Sequence, residues 1–142
     1  MKVAYKESLA YKVEQTIESL PYSVILRKDV EALGDQRQVT YALKNLIRQK
    51  KIARIGYGLY VKTSLSKYFP DMLVFRGTPG FSTMIREALD RLNIPWQESE
   101  AEEEYNAGRS TQIPVNSILR LKTRFRRKIA FEEMVFEYQK VA

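Results

Sequence analysis

The sequence contains neither cysteine nor histidine among its 142 residues. The lack of cysteine excludes disulfides, thiolate metal sites and cysteine nucleophiles. The lack of histidine removes the commonest general base and the commonest metal ligand. There is also no run of about 18 apolar residues to cross a bilayer, and the N-terminus lacks the apolar stretch of a signal peptide. We therefore expect a cytoplasmic protein with no membrane partner, either a binding protein or an enzyme that relies on carboxylate, lysine or tyrosine.

Acidic residues are missing from two long stretches, residues 36–70 and 105–131. The chain has 24 Lys and Arg against 17 Asp and Glu, for a net charge of +7. All of this excess lies in residues 1–70, which carry 13 basic and 6 acidic residues, whereas residues 71–142 carry 11 of each. Such segregation indicates a polyanionic partner for the first half, although a solvated basic surface is the simpler alternative.

Apolar spacing in the first half predicts short helices followed by a hairpin. A helix is expected from about Lys6 to Leu20, ended by Pro21. Ser23–Leu26 is suited to a strand or a lead-in. Arg27–Leu33 is expected to be a short helix, with Val30 and Leu33 facing inward and Gly34 closing it.

The clearest element begins at Asp35, which has capping-box spacing with Gln38. Val39, Leu43, Leu46 and Ile47 then form one apolar stripe. The opposite face mixes cations, hydrogen-bonding groups and an aromatic ring, as contact with phosphates and base edges requires. The candidate DNA-binding residues on this helix are Gln36, Arg37, Gln38, Thr40, Tyr41, Lys44 and Arg48.

After this helix, Ile52–Ile55, Gly56–Tyr57–Gly58 and Leu59–Val61 predict a strand, a glycine turn and a second strand. Arg54 and Tyr57 are expected near the tip, and both join the candidate DNA-binding set. Three helices followed by such a hairpin are typical of a winged helix-turn-helix, whose third helix enters the major groove. The hairpin then lies along the backbone or the adjacent minor groove. The alternative is a small α/β domain whose basic helix contacts nothing.

The second half is expected to mix helices and strands. Residues 63–77 are interpreted as a connector with some local structure. A helix opened by Thr78–Pro79 would end at Asn93–Pro95. Its apolar positions are Phe81, Ile85, Ala88, Leu89 and Leu92. A second helix, capped by Ser99 and stopped at Gly108, would carry the acidic block Glu98, Glu100, Glu102, Glu103 and Glu104, which suits a helix N-terminus. A docking surface for a basic partner is the alternative interpretation of this block.

From Ser110 onward the pattern predicts strands over residues 111–114, 118–125, 128–131 and 134–138. Basic and apolar residues alternate in the second of these, giving one basic face. The candidate second basic surface comprises Arg120, Lys122, Arg124, Arg126 and Arg127, and would suit DNA phosphates, RNA or an acidic protein. The predicted fold class is α+β, with a winged helix-turn-helix domain at 1–70 and a small α+β domain at 71–142.

Two segments, Asp35–Val61 and Gly108–Pro114, resemble the AbiEi-like antitoxins of type IV toxin–antitoxin systems, and Asn45–Val61 is similar to the helix-to-wing stretch of that family. This resemblance implies an N-terminal winged helix that binds its own promoter and represses its operon in a bacterial phage-defence system. It also implies a functional link to a nucleotidyltransferase-like toxin. From the residues alone, Thr111, Gln112 and Pro114 predict an edge strand, because proline stops further pairing.

The main expectation is a sequence-specific regulator that binds double-stranded DNA, with no catalytic residues, metal or cofactor. The alternative is a protein-binding adaptor or antitoxin that acts through its second half, with DNA contact secondary. A carboxylate-dependent nuclease is disfavoured, because Glu102, Glu103 and Glu104 are adjacent and would fan out on a helix. No glycine-rich phosphate loop is present. RNA binding is also disfavoured, because no stacking sheet is evident.

Overall fold

The computed structural model describes residues 8–113 and 118–141. Helix α1, Leu9–Ser19, begins where the Tyr11 amide donates to Ser8 Oγ at 3.1 Å. Residues 6 and 7 of the predicted helix lie outside the described residues. Strand β1, Val24–Leu26, follows as expected.

Helix α2, Gln36–Arg48, is the element that sequence reasoning predicted best. The Gln38 amide donates to Asp35 Oδ1 at 2.8 Å, which satisfies one free amide of the first turn. Val39, Leu43 and Leu46 are buried, so the predicted stripe faces the core. The opposite face of α2 is left exposed.

The predicted short helix over Arg27–Leu33 is wrong in form. It consists of two 3₁₀ turns, Arg27–Asp29 and Glu31–Leu33. Val30 is buried as expected, but Leu33 is 37% exposed; the second turn ends at Gly34 as predicted, with extended backbone at φ −174°. A distant contact explains the difference, because the Asp29 carboxylate accepts from the Leu26 amide at 2.8 Å and from Arg91 at 2.5 Å. These bonds hold the first turn, Arg27–Asp29, in its 3₁₀ form.

The predicted hairpin is confirmed as strands β2, Ile52–Gly56, and β3, Leu59–Leu65, paired antiparallel. Strand β3 also pairs with β1 and with β4, Leu73–Phe75. The local structure expected within residues 63–77 is the end of β3 and the whole of β4. Two further strands thus extend the sheet beyond the hairpin.

Alternate residues of this sheet enter two separate hydrophobic clusters. Ile25 and Tyr60 pack with α1 and α2 in one cluster. Val24 and Val61 belong to the other, together with Leu89 and further residues beyond position 80. The second cluster and the β3–β4 pairing thus join residues from both sides of position 70. The division into domains at 1–70 and 71–142 stays a prediction.

Helices α3, Phe81–Arg91, and α4, Glu100–Asn106, lie in the second half. On α3, Ile85, Ala88 and Leu89 are buried as predicted. The Glu102 amide donates to Ser99 Oγ at 3.1 Å, confirming that cap. Gly108, with φ +76°, follows the end of α4 as expected.

Short strands complete the fold: β5, Trp96–Gln97; β6, Leu119–Leu121; β7, Ala130–Phe131; β8, Met134–Val135; and β9, Tyr138–Lys140. Strands β5, β6 and β9 form one sheet, in which β6 and β9 are parallel. Strands β7 and β8 form a separate antiparallel pair. The fold class is α+β, as predicted. None of the helices within residues 8–113 and 118–141 has the length and apolar character that crossing a membrane requires.

Two strand predictions in this half are wrong. Residues 111–113 form no strand, because the chain bends where the Gln112 amide donates to Ser110 Oγ at 3.2 Å. Pro114, the fourth residue of that predicted strand, lies outside the described residues. The strand predicted over residues 118–125 is only three residues long, because its pairing with β9 ends at Leu121 and Lys140.

Candidate nucleic-acid interface

A groove of about 810 Å³ separates the exposed face of α2 from the β2–β3 hairpin. Its floor is apolar and includes Leu43, Ile47 and Tyr60. Its walls bring together residues predicted separately on the helix and on the hairpin. The predicted residues that line it are Gln36, Arg37, Thr40, Tyr41, Lys44, Arg54 and Tyr57.

The two tyrosines of the groove are unusually accessible for aromatic residues. Tyr41 on α2 is 63% exposed and Tyr57 at the hairpin tip is 81% exposed. Each therefore presents a ring face and a hydroxyl to an outside partner. Neither side chain fills the core, so both rings are available for contact with a partner.

The backbone of the hairpin tip has a defined shape. The pairing of β2 with β3 shifts register between Arg54 and Gly56, and Gly58 has φ +66°. Such a register shift bends a strand and re-aims its side chains. Arg54 Nε donates to the Gly56 carbonyl at 3.2 Å, which leaves the guanidinium exposed beside the tip.

Arg27 belongs to the groove, and sequence reasoning missed it. Its Nη2 donates to the Gln36 side-chain oxygen at 2.9 Å and to the Gln36 carbonyl at 3.0 Å. Its amide donates to the Gly58 carbonyl at 2.9 Å. Arg27 thus links the start of α2 to the hairpin tip. The only sequence signal was a cation directly after β1, which does not reveal this contact.

Two predicted residues of α2 lie outside the groove. Gln38 is exposed and borders a separate depression beside Leu9 and Ala10. Arg48 is exposed near the end of α2, where its Nη1 donates to Asn45 Oδ1 at 2.9 Å. Both remain accessible on the helix surface next to the groove.

The lining of the groove carries one sign of charge. It includes Arg27, Arg37, Lys44 and Arg54, and none of its lining residues is acidic. Cations lining a concave surface of low polarity raise the local concentration of anions. The arrangement therefore suits a polyanion that also offers flat rings or hydrogen-bonding edges.

The candidate second basic surface is divided in the structure. Arg120 is half-buried, its Nε donates to the Glu98 carbonyl at 2.8 Å, and its Nη2 lies 2.7 Å from Glu103 Oε1. Lys122, Arg124 and Arg126 are exposed. Arg127 instead reaches the hairpin tip, where its Nη2 donates to the Tyr57 carbonyl at 2.6 Å.

The acidic block on α4 is engaged within the molecule. Glu102 pairs with Arg86 at 3.1 Å, Glu103 with Arg120, and Glu104 with Arg109 at 2.9 Å. These ion pairs, and the favourable position of acidic side chains at a helix N-terminus, explain much of the clustering of glutamates here. No group of three carboxylates suited to a metal ion occurs within residues 8–113 and 118–141.

Comparison of the chain with protein-family models, with curated proteins and with solved structures found no match. The features that bear on function are therefore the geometry of the groove and the charge of its lining. Both can be tested by substitution of single residues.

Proposed function

We propose that the protein is a sequence-specific regulator that binds double-stranded DNA as a winged helix-turn-helix, with α2 as its recognition helix. The observation that carries the proposal is the cationic groove between α2 and the β2–β3 hairpin. The order of α1, the 3₁₀ turns, α2 and the hairpin supports the same assignment.

In the proposed complex, the N-terminal part of α2 enters the major groove. Gln36, Arg37 and Thr40 are exposed or half-exposed in its first turns and carry groups that hydrogen-bond to base edges. Of the side chains that form the floor, Leu43, Ile47 and Tyr60, only Tyr60 carries a polar group, its hydroxyl. Sequence discrimination would therefore come from the beginning of α2.

One strand of the DNA backbone would lie in the groove itself. Arg27 and Lys44 would contact its phosphates from the α2 side, and Arg54 from the hairpin side. The Tyr41 and Tyr57 hydroxyls would add neutral hydrogen bonds to phosphate oxygens. Phosphate contacts of this kind supply most of the affinity and orient the protein without reading sequence.

We further propose that the regulator is a cytoplasmic antitoxin that represses its own operon and is functionally linked to a nucleotidyltransferase-like toxin. This part rests on the resemblance of Asp35–Val61 and Gly108–Pro114 to AbiEi-like antitoxins. It has an independent genetic test, namely whether the chain protects cells that express the product of its neighbouring gene.

The DNA-binding proposal is tested by selecting duplexes from a random pool. The affinity for the selected duplex is then measured by fluorescence anisotropy between about 50 and 300 mM salt. Arg37→Ala should weaken binding to the selected site about tenfold and relax sequence preference, because a base contact is lost. Lys44→Ala should weaken binding to all duplexes and reduce the salt slope by about one. Lys140→Gln, on β9, removes a charge away from the groove and serves as the control.

Two results would contradict the proposal. One is the failure of the wild-type chain to retain any duplex at low salt. The other is wild-type affinity in the combined Arg37→Ala and Lys44→Ala variant. A clear preference for RNA in a competition titration would reassign the groove to RNA, and a stable protein complex recovered in place of DNA binding would favour the adaptor alternative.

A further inference from the structure

The hairpin tip is held by a segment far away in the sequence. We call this segment, Phe125–Ile129, the buttress. Arg127 at its centre donates from Nη2 to the Tyr57 carbonyl at 2.6 Å. A hydrogen bond from a guanidinium to a carbonyl is charge-assisted and stronger than a neutral one. The tip thus receives a charge-assisted bond from outside the hairpin.

The buttress is fixed at both ends, although it has no regular secondary structure. Phe125 and Ile129 are buried in the same cluster as Ile55 and Leu59 of the hairpin strands. The Tyr138 hydroxyl donates to the Phe125 carbonyl at 3.1 Å and accepts from the Phe125 amide at 2.9 Å. Arg127 therefore extends from a backbone whose position is set by the core.

The backbone of the buttress also lies directly against the hairpin. A Cβ atom added at Gly56 would lie 2.6 Å from the Lys128 carbonyl oxygen, closer than atoms can approach. Only glycine lets the two backbones come together at this point. The Arg27 amide also donates to the Gly58 carbonyl at 2.9 Å. The tip is therefore held by two contacts from outside the hairpin, one from Arg27 and one from the buttress.

We propose that Arg127 is a positioning residue for DNA binding: held by the buried ends of the buttress, it grips the Tyr57 carbonyl and sets the distance between the hairpin tip and α2. This inference rests on the proposed function. It assigns to the second half of the chain a role in the shape of the groove, and it gives Arg127 a role distinct from those of Arg124 and Arg126, although all three are exposed. The width of the groove, and hence the fit of a DNA backbone strand, would depend on this bond.

The first arm of the test uses the free protein and needs no DNA. In ¹H–¹⁵N correlation spectra, Arg127→Gln should shift the amide resonances of residues 56–59 while most of the spectrum is unchanged. Lys140→Gln should leave the tip resonances in place. Unshifted tip resonances in Arg127→Gln would overturn the inference, because Arg127 would then not position the tip.

The second arm is a double-mutant cycle on the selected duplex. Arg127→Gln should weaken binding about five- to tenfold, as expected for loss of a charge-assisted bond. In a background that already lacks the tip side chains, Arg54→Ala with Tyr57→Ala, the same substitution should change affinity less than about twofold, since Arg127 acts through the tip.

An equal loss in both backgrounds would overturn the inference, because Arg127 would then contact the DNA independently. Unchanged affinity of Arg127→Gln in the otherwise wild-type chain would also overturn it. Failure of the wild-type chain to bind any duplex would instead overturn the proposed function, and with it the DNA part of this inference. The resonance shifts would still decide whether Arg127 holds the tip.

Discussion

Arg76 and Glu18 form a two-pronged ion pair, in which both Nη atoms of Arg76 lie 2.8 Å from the carboxylate oxygens of Glu18. Arg76 also donates to the Thr63 carbonyl at 2.7 Å and to the Lys51 carbonyl at 2.9 Å. One side chain therefore ties α1 to β3 and to Lys51, the residue before β2. This linkage holds the helical layer against the sheet that carries the groove.

Arg76→Ala should lower the free energy of unfolding by about 1–3 kcal/mol, because it removes the ion pair with Glu18 and the side-chain donor to the Thr63 carbonyl, whereas the Lys51 carbonyl keeps the Thr63 amide as a donor at 2.9 Å. We expect a value in the lower part of this range, because about a third of each side chain is accessible and solvent screens the ion pair. Arg76→Lys should recover only part of the loss, because an ammonium cannot reproduce the planar fork. Urea denaturation with an unchanged m-value measures both effects. Equal stability of Arg76→Ala and wild type would contradict the prediction.

The same pair predicts a pH dependence of stability. The hydrogen bond from Arg76 lowers the pKa of the Glu18 carboxyl despite partial burial. Its contribution to stability is therefore complete above about pH 5 and is lost as the pH falls through the ordinary glutamate value of about 4.3 towards the lower folded value. Glu18→Gln should flatten this part of the curve of stability against pH. A matched substitution of the exposed Glu133 should not.

Glu87 on α3 should be a second determinant of stability. Its Oε1 accepts from the amides of Ser23 and Val24 at 2.6 and 2.9 Å, at the buried start of β1. Glu87→Ala leaves both amides unpaired and should destabilise the fold by about 2–4 kcal/mol. Glu87→Gln keeps an acceptor oxygen and should lose less. Thermal unfolding would rank the wild type and the two variants. An equal loss of stability in both variants would contradict the prediction, because the acceptor oxygen kept in Glu87→Gln would then make no difference.

Two glycines with crowded surroundings should respond differently to alanine. A Cβ at Gly56 would meet the Lys128 backbone oxygen at 2.6 Å, whereas at Gly34 it would meet the tip of the Leu9 side chain at 2.7 Å. A leucine side chain can move aside, but a backbone carbonyl fixed by the core cannot. Gly56→Ala should therefore be destabilising by about 1–3 kcal/mol, and Gly34→Ala should be clearly milder. The ranking is read from denaturant midpoints, and its reversal would contradict this account.

Sequence reasoning succeeded where structure depends on near neighbours. Helix α2 was predicted with its cap because Asp35 and the apolar stripe are local signals, and the hairpin was predicted because its glycines and β-formers are adjacent. The 3₁₀ turns were missed because Asp29 is bound by Arg91, 62 positions away. The same limitation explains why the contacts of Arg27 with Gly58 and of Arg127 with Tyr57 were not predicted. Both contacts join residues far apart in the sequence, and no local pattern encodes them.

Strand β3 has a consequence for how the molecule unfolds. Its residues Leu59–Thr63 are all buried; Leu59 and Val61 enter one hydrophobic cluster, and Tyr60 between them enters the other. A shift of the β3 pairing register by one residue would place Tyr60 on the face of the sheet that now receives Val61. Neither hydrophobic cluster therefore tolerates a change of register. Loosening one layer must also loosen the other, and we expect a single cooperative transition in which the β3 amide hydrogens are the last to exchange with solvent.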